Sequence, residues 1–112
     1  MTQSMSEMLQ RYVSGLMQIY GNNLKAVILY GSYARGDFRE DSDIDIMILV
    51  DLSDEEIHKR GRALSDLTFD YIFGHDLMFM PFVKNKEHFE KWLHAYPFYN
   101  NISREGVELY AA

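Results

Sequence analysis

The feature that most constrains the fold is an alternating run at positions 43–50, Asp-Ile-Asp-Ile-Met-Ile-Leu-Val. In an extended strand, successive side chains point to opposite faces, and the residues of one face here are all apolar: Ile44, Ile46, Ile48 and Val50. The other face begins with Asp43 and Asp45 and continues with Met47 and Leu49. We therefore predict a buried strand at 44–50 with two carboxylates at one end, ~6.6 Å apart between Cα atoms at ~3.3 Å per residue.

The rest of the chain predicts a mixed sheet covered by helices. Apolar residues at spacings of three and four predict a helix over Ser4–Tyr20, ended by Gly21 and the two Asn residues after it. Pro81 places the strand predicted at Leu77–Val83 at a sheet edge. The other predicted elements are a strand at Ala26–Tyr30, a helical turn at Ser32–Arg35, a helix from an N-cap at Ser53 to about Leu67, a short strand or turn at Phe69–Phe73, and helices at Lys86–Ala95 and Pro97–Glu108. This is an α/β (α+β) fold, a small mixed β-sheet flanked by helices.

Composition limits the function classes. The 112 residues fit a single domain, 1–112, and the absence of cysteine excludes disulfides and thiolate zinc sites. Eleven Lys and Arg against seventeen Asp and Glu give a net charge of −6, which argues against direct binding of duplex nucleic acid. The N-terminal residues lack the basic and apolar regions of a signal peptide, and no apolar run approaches the ~20 residues of a membrane helix. We therefore expect a cytoplasmic protein without membrane interaction.

The two acids at the start of the central strand predict a cation site. Like charges held this close without a positive partner are costly, and a divalent ion resolves the repulsion. Carboxylate ligation alone favours Mg²⁺, or Mn²⁺, over zinc. Taken by themselves, Asp41, Asp43 and Asp45 fit a solvated acidic turn equally well. A calcium loop is excluded, because Ile46 and Leu52 occupy the positions of its obligatory Gly and Glu.

A Gly-Ser pair follows the preceding strand. Gly31 permits close backbone approach to a phosphate, and Ser32 offers a hydroxyl and an N–H group at a helix start. A lone Gly-Ser is more often an ordinary turn, and a Walker A loop is excluded because Asp37 stands in place of the Lys. A phosphate-binding turn after one strand and an acid pair on the next together indicate handling of a Mg-nucleoside triphosphate.

These residues carry a family resemblance. Gly31-Ser32, ten further residues and Asp43-Ile44-Asp45 resemble the signature of the polymerase-β-like nucleotidyltransferase superfamily. The fuller string from Gly31 to Gly36, followed by Asp41 to Asp45, is similar to its minimal nucleotidyltransferase (MNT) branch. Members of that branch are catalytic cores often encoded beside a HEPN-domain protein, and several such pairs are toxin–antitoxin systems.

The resemblance implies a set of site residues. Gly31 and Ser32 would bind the β- and γ-phosphates of ATP, Asp43 and Asp45 would ligate two Mg²⁺ ions, and Arg35 is either a phosphate contact or a surface charge that anchors its loop. The superfamily also uses a third carboxylate from a later strand. We expect Asp76, at the start of the third predicted strand, to supply it as a metal ligand and catalytic residue, with Asp70 as the competing choice.

The resemblance also implies an activity. The chain would be an enzyme that transfers AMP from Mg-ATP to a hydroxyl, such as a tyrosine, on a HEPN toxin partner. Because so short a chain leaves no room for a second domain, the HEPN partner would complete the pocket. Whether the assembly is homo- or hetero-oligomeric stays open. The alternative is a non-catalytic nucleotide-binding antitoxin that acts by occluding its partner.

Overall fold

The structure, a computed structural model, describes residues 1–112. Its sheet has four strands in the order β3-β2-β1-β4. The strands are β1 (Leu24–Tyr30), β2 (Ile44–Val50), β3 (Phe79–Asn85) and β4 (Val107–Ala111). The helices are α1 (Gln3–Tyr20), α2 (Ser32–Arg35), α3 (Asp54–Lys59), α4 (Gly61–His75), α5 (Lys86–Lys91) and α6 (Pro97–Glu105).

The sheet is mixed, as the sequence predicts. β1 runs antiparallel to both β2 and β4, whereas β2 and β3 are parallel. β3 lies at an edge, where the missing N–H of Pro81 costs least. The α+β fold class is therefore confirmed.

Helices cover both faces of the sheet, and the alternation in β2 decides which side chains meet which helices. Ile44, Ile46, Ile48 and Val50 are fully buried in a core formed with α1. On the opposite face Met47 and Leu49 are buried against Phe89 of α5 and against α6. The apolar residues on both faces of β2 are thus buried as the alternation predicts, and only the acidic end of the strand reaches solvent.

Local capping sets three of the helix boundaries. The side chain of Thr2 accepts a hydrogen bond from the N–H of Met5 at 3.1 Å and begins α1, which ends where Gly21 adopts a positive φ of 55°. Ser53 caps α3 as predicted, because its hydroxyl accepts from the N–H of Glu56 at 3.2 Å. None of the helices is both long and apolar enough to cross a membrane.

Two predicted elements of the middle region are wrong. The helix that begins after Ser53 breaks after Lys59 and resumes as α4, which continues to His75 rather than ending near Leu67. Phe69–Phe73 is accordingly helical and neither a strand nor a turn. Aromatic residues favour strands locally, but residues of α4 at helical spacing (Leu64, Leu67, Tyr71, Ile72) pack on the main core, and this packing outweighs the local preference.

The C-terminal third also differs from prediction. β3 begins at Phe79 rather than Leu77, α5 ends at Lys91 rather than Ala95, and α6 ends at Glu105. The chain then forms β4, which the sequence does not predict, and β4 pairs with β1. A Cβ at Gly106 would overlap the carbonyl of Ile102 and the side chain of Ile28, so glycine permits the close turn from α6 into β4.

Candidate active site

A cleft of about 380 Å³ lies between α6 and the start of α2, and four of the six predicted site residues line it. Four of its lining residues were predicted from sequence: Gly31, Ser32, Arg35 and Asp45. The other five are Tyr30, Phe98, Asn101, Ile102 and Glu105. The fold therefore brings the Gly-Ser turn and one of the paired acids to a common cavity.

Gly31 lies directly against the Asp45 carboxylate in this cleft. Gly31 has φ of 76° and ψ of −156°, a backbone conformation that residues other than glycine rarely adopt. A Cβ built on Gly31 would overlap Oδ2 of Asp45. The glycine thus makes room for the carboxylate and starts α2, in which the N–H of Arg35 donates to the carbonyl of Gly31 at 3.1 Å.

Asp45 is half-buried in an unfavourable electrostatic setting. Desolvation raises the pKa of its carboxyl, the nearby charge of Asp43 raises it further, and Arg35 partly opposes this. Asp43 itself is exposed and lies outside the residues that line the cleft. The two acids therefore repel each other at the sheet end, which is the setting a bound cation stabilises.

Arg35 is held at the cleft by two carboxylates. Its Nε donates to Oδ2 of Asp37 at 3.2 Å, and a terminal nitrogen lies 3.5 Å from Oε2 of Glu105 in α6. These two contacts, led by Asp37, raise the pKa of the guanidinium. Arg35 is exposed and lines the cleft, and its ion pair with Glu105 links α2 to α6.

Aromatic residues form the far wall of the cleft. Tyr30 pairs with Asp45 across β1 and β2, and burial together with that charge raises the pKa of Tyr30 to about 12. The ring of Phe98 meets Tyr30 edge-to-face with 5.7 Å between centroids. Tyr30 is therefore a neutral, apolar wall beside the carboxylate.

Asp76 is not brought together with the acid pair. It forms the C-cap of α4, with φ of 54°, and does not start β3. It lines a separate cavity of about 250 Å³ together with Glu40 and Asp41. The competing choice, Asp70, is exposed on α4, and no group of three His, Asp or Glu side chains is placed to hold a metal ion by itself.

Sequence reasoning missed the contribution of α6. Phe98, Asn101 and Glu105 lie at spacings of three and four on this helix and all line the cleft. Their spacing is visible in the sequence. Nothing local, however, indicates that a helix some fifty residues after Asp45 returns to the end of β2.

Comparison with known proteins gives consistent results at the sequence level. The family described as "Nucleotidyltransferase domain" matches residues 9–99. A protein of Methanocaldococcus jannaschii is 32% identical over 102 residues, which span 91% of this chain and 94% of the relative. A second protein of the same organism is 31% identical over 80 residues, 71% of this chain and 79% of the relative. Both are named as candidate protein adenylyltransferases.

Solved structures share the fold. A toxin–antitoxin complex with AMP-PNP matches with a TM-score of 0.57 at 18% identity, over 92% of this chain and 73% of that one. A tri-AMPylated HEPN toxin of Shewanella oneidensis in complex with an MNT antitoxin matches with a TM-score of 0.53 at 16% identity, over 96% and 73%. The family match and the M. jannaschii relatives show that the chain belongs to the nucleotidyltransferase domain family, as the Gly-Ser and Asp-x-Asp pattern predicts.

Proposed function

We propose that this chain transfers AMP from Mg-ATP to a hydroxyl group on a partner protein. The observation that carries the proposal is the shared cleft of Gly31, Ser32 and Asp45 in a member of the nucleotidyltransferase domain family. A phosphate-binding turn and a metal-binding carboxylate that face the same cavity are the two parts that transfer of a nucleoside monophosphate requires.

The donor set fits magnesium. Because Gly31 has no side chain, space beside the Asp45 carboxylate stays open. The nearby charge of Asp43 repels that of Asp45, and a bound cation would offset this repulsion. In this proposal Asp43 and Asp45 hold two Mg²⁺ ions, or Mn²⁺. When bound, these ions neutralise the charge that develops on the phosphates and lower the pKa of the attacking hydroxyl.

The remaining residues of the cleft orient the nucleotide. The hydroxyl and N–H groups of Ser32 bind the β- and γ-phosphates. Gly31, which has no side chain, allows these phosphates to approach the backbone closely. Arg35, fixed by Asp37 and Glu105, adds positive charge beside the pyrophosphate. The acceptor oxygen then forms a bond to the α-phosphorus while the bond to the β-phosphate oxygen breaks. The products are an AMP ester, pyrophosphate and the proton of the acceptor hydroxyl.

A protein acceptor is supported by two findings. The M. jannaschii relatives are named for protein adenylylation, and the structural neighbour from S. oneidensis is a complex with an AMPylated HEPN toxin. In addition, Met80 and Phe82 of β3 expose 38% and 44% of their surfaces, and Met80 lies directly beside Asp45 in the β2–β3 register. Exposed apolar side chains next to a catalytic centre are typical of a protein-binding surface. We therefore propose a HEPN-domain protein as partner and its tyrosine or another hydroxyl as acceptor.

The position of the label defines the reaction. The protein is incubated with Mg²⁺, a co-encoded HEPN protein and ATP labelled at either the α- or the γ-phosphate. We expect the α-label, and no γ-label, on the HEPN protein. Transfer of the γ-label would show a kinase reaction. Inhibition of the toxin without transfer of either label would show that the chain acts by occlusion.

The third carboxylate of the superfamily has no counterpart in this cleft apart from Glu105, which is paired with Arg35. The assignment of Asp76 to that role stays a prediction, and its separate cavity does not favour it. The two-carboxylate arrangement of Asp43 and Asp45 is the one that we propose.

A further inference from the structure

Helix α6 presents a chemically mixed face to the cleft. Phe98, Asn101 and Glu105 follow one another at spacings of three and four, so an aromatic ring, an amide and a carboxylate form a column along one side of the cavity. The helix is anchored, because Tyr99 and Ile102 are buried in the second core together with Met47, and Ile102 also lines the cleft. The column is therefore a fixed wall, held by the sheet that carries Asp45.

Phe98 is the unexplained member of this column. It leaves 46% of its surface exposed at the cleft, although the aromatic residue next to it, Tyr99, is buried. The ring of Phe98 meets Tyr30 at 82° and Phe82 at 77°, with centroid separations of 5.7 and 6.3 Å. These two edge-to-face contacts restrain the orientation of the ring. A fixed aromatic plane beside a phosphate-binding turn is a surface on which a planar heterocycle can stack.

The two polar members of the column, Asn101 and Glu105, have different roles. Glu105 is paired with Arg35 and is thereby committed to the phosphate end of the cleft. Asn101 lies one helical turn beyond Phe98, and its amide offers one acceptor and two donor hydrogens. An amide of this kind matches the adjacent donor and acceptor of adenine at N6 and N7, whereas guanine presents two acceptors there.

We propose that α6 is the nucleoside wall of the site: Phe98 stacks on the base and Asn101 selects adenine. The inference rests on the proposed function, since it assumes that the phosphates bind at Gly31 and Ser32. It differs from the expectation that a partner must complete the pocket, because the chain supplies this wall from its own C-terminal third. A partner is then needed for the acceptor and not for the base.

The first experiment separates base binding from phosphate binding. Calorimetry with the full chain measures the Kd of Mg-ATP and of Mg-tripolyphosphate, which has no base. Phe98→Leu keeps apolar contact with Tyr30 but removes the aromatic plane, whereas Phe98→Tyr keeps that plane. Phe73→Leu is the matched control on α4, where the ring is 82% exposed. We expect Phe98→Leu to weaken ATP binding about tenfold, with tripolyphosphate unchanged. Phe98→Tyr should bind ATP more tightly than Phe98→Leu, and Phe73→Leu should bind it normally.

The second experiment tests adenine selection. Asn101→Ala should reduce the preference for ATP over GTP about tenfold, mainly through weaker ATP binding. Unchanged ATP binding in Phe98→Leu, or equal weakening of ATP and tripolyphosphate, would overturn the stacking role. An unchanged ATP preference in Asn101→Ala would overturn the selective role. If the unmodified protein bound neither ligand, the proposed function itself would fail, which is distinguishable from either of these results.

Discussion

A Cβ on Gly31 would overlap Oδ2 of Asp45, so the turn that precedes α2 and the acid on β2 cannot be altered independently. Gly31 has a backbone conformation that is essentially restricted to glycine, and the half-buried carboxylate of Asp45 lies next to it. The Gly-Ser and Asp-x-Asp elements of the sequence are thus in direct steric contact.

Gly31→Ala should therefore abolish activity by moving Asp45. We expect a loss of about 100-fold in AMP transfer, since a displacement near 1 Å has this effect on positioned groups. The free energy of unfolding should fall by about 1–3 kcal/mol from backbone strain. The control is Gly36→Ala: Gly36 also has a positive φ, 85°, but a Cβ there meets nothing within 4 Å. Equal loss of transfer in both variants would mean that strain, and not contact with Asp45, is responsible.

The strands of the site were predictable because their signals are local. The alternation in β2, the apolar run of β1 and the Gly-Ser turn each follow from a few adjacent residues. β2 has its predicted bounds, whereas β1 begins at Leu24, two residues before the predicted start at Ala26. Ser53 was likewise recognisable as a cap from its own short motif. Pro81 identified the edge strand, because proline lacks the N–H that an interior strand needs on both sides.

The elements that sequence reasoning missed depend on contacts between distant segments. Phe69–Phe73 lies in a helix because α4 packs on the main core through residues such as Tyr71 and Ile72, which local strand preference does not reveal. β4 forms because Gly106 allows the chain to turn tightly onto β1. The wall of the cleft provided by α6 depends on this same C-terminal packing.

Arg35 should contribute to nucleotide affinity through its fixed position. We expect Arg35→Gln to weaken Mg-ATP binding about tenfold, through loss of a charged hydrogen-bond donor beside the phosphates. Arg39→Gln removes the same charge from an exposed residue of the loop that follows α2, which does not line the cleft. If calorimetry gave the same Kd for both variants, Arg35 would act as a loop anchor only.

Asp76 provides a test of the number of carboxylates. Because it lies in a separate cavity, Asp76→Asn should retain AMP transfer within about twofold. Asp76→Gly should raise the free energy of unfolding by up to about 1 kcal/mol, since the residue has a left-handed φ of 54° at the end of α4. A loss of transfer in Asp76→Asn as large as that in Asp45→Asn would establish it as the third carboxylate instead.

Alkaline stability should depend on Tyr12. Its hydroxyl is buried, shares a 2.8 Å hydrogen bond with Thr68, and has a pKa raised by burial to about 12. Because the folded state holds this proton more tightly than the unfolded state, the contribution is complete below pH 10, the ordinary tyrosine value, and is lost as the pH rises to about 12. Tyr12 alone should account for a fall of about 2–3 kcal/mol in the free energy of unfolding.

Urea denaturation across this range measures the effect. The decline should be smaller in Tyr12→Phe than in the unmodified protein, although the variant is less stable at neutral pH by about 1–3 kcal/mol through loss of the hydrogen bond to Thr68. A decline of the same size in both proteins would assign the alkaline sensitivity to other groups, such as Tyr30.

The most direct test of the central claim compares Asp45→Asn with Asp66→Asn, an isosteric change at an exposed acid on α4. Each variant is incubated with Mg-ATP and the HEPN partner, and the intact mass of the partner is measured. The account predicts that Asp66→Asn adds AMP as the unmodified protein does. Asp45→Asn should add none, although thermal unfolding finds it at least as stable, because it loses a half-buried charge next to Asp43. Undiminished addition of AMP by Asp45→Asn would contradict the claim that this cleft is the catalytic site.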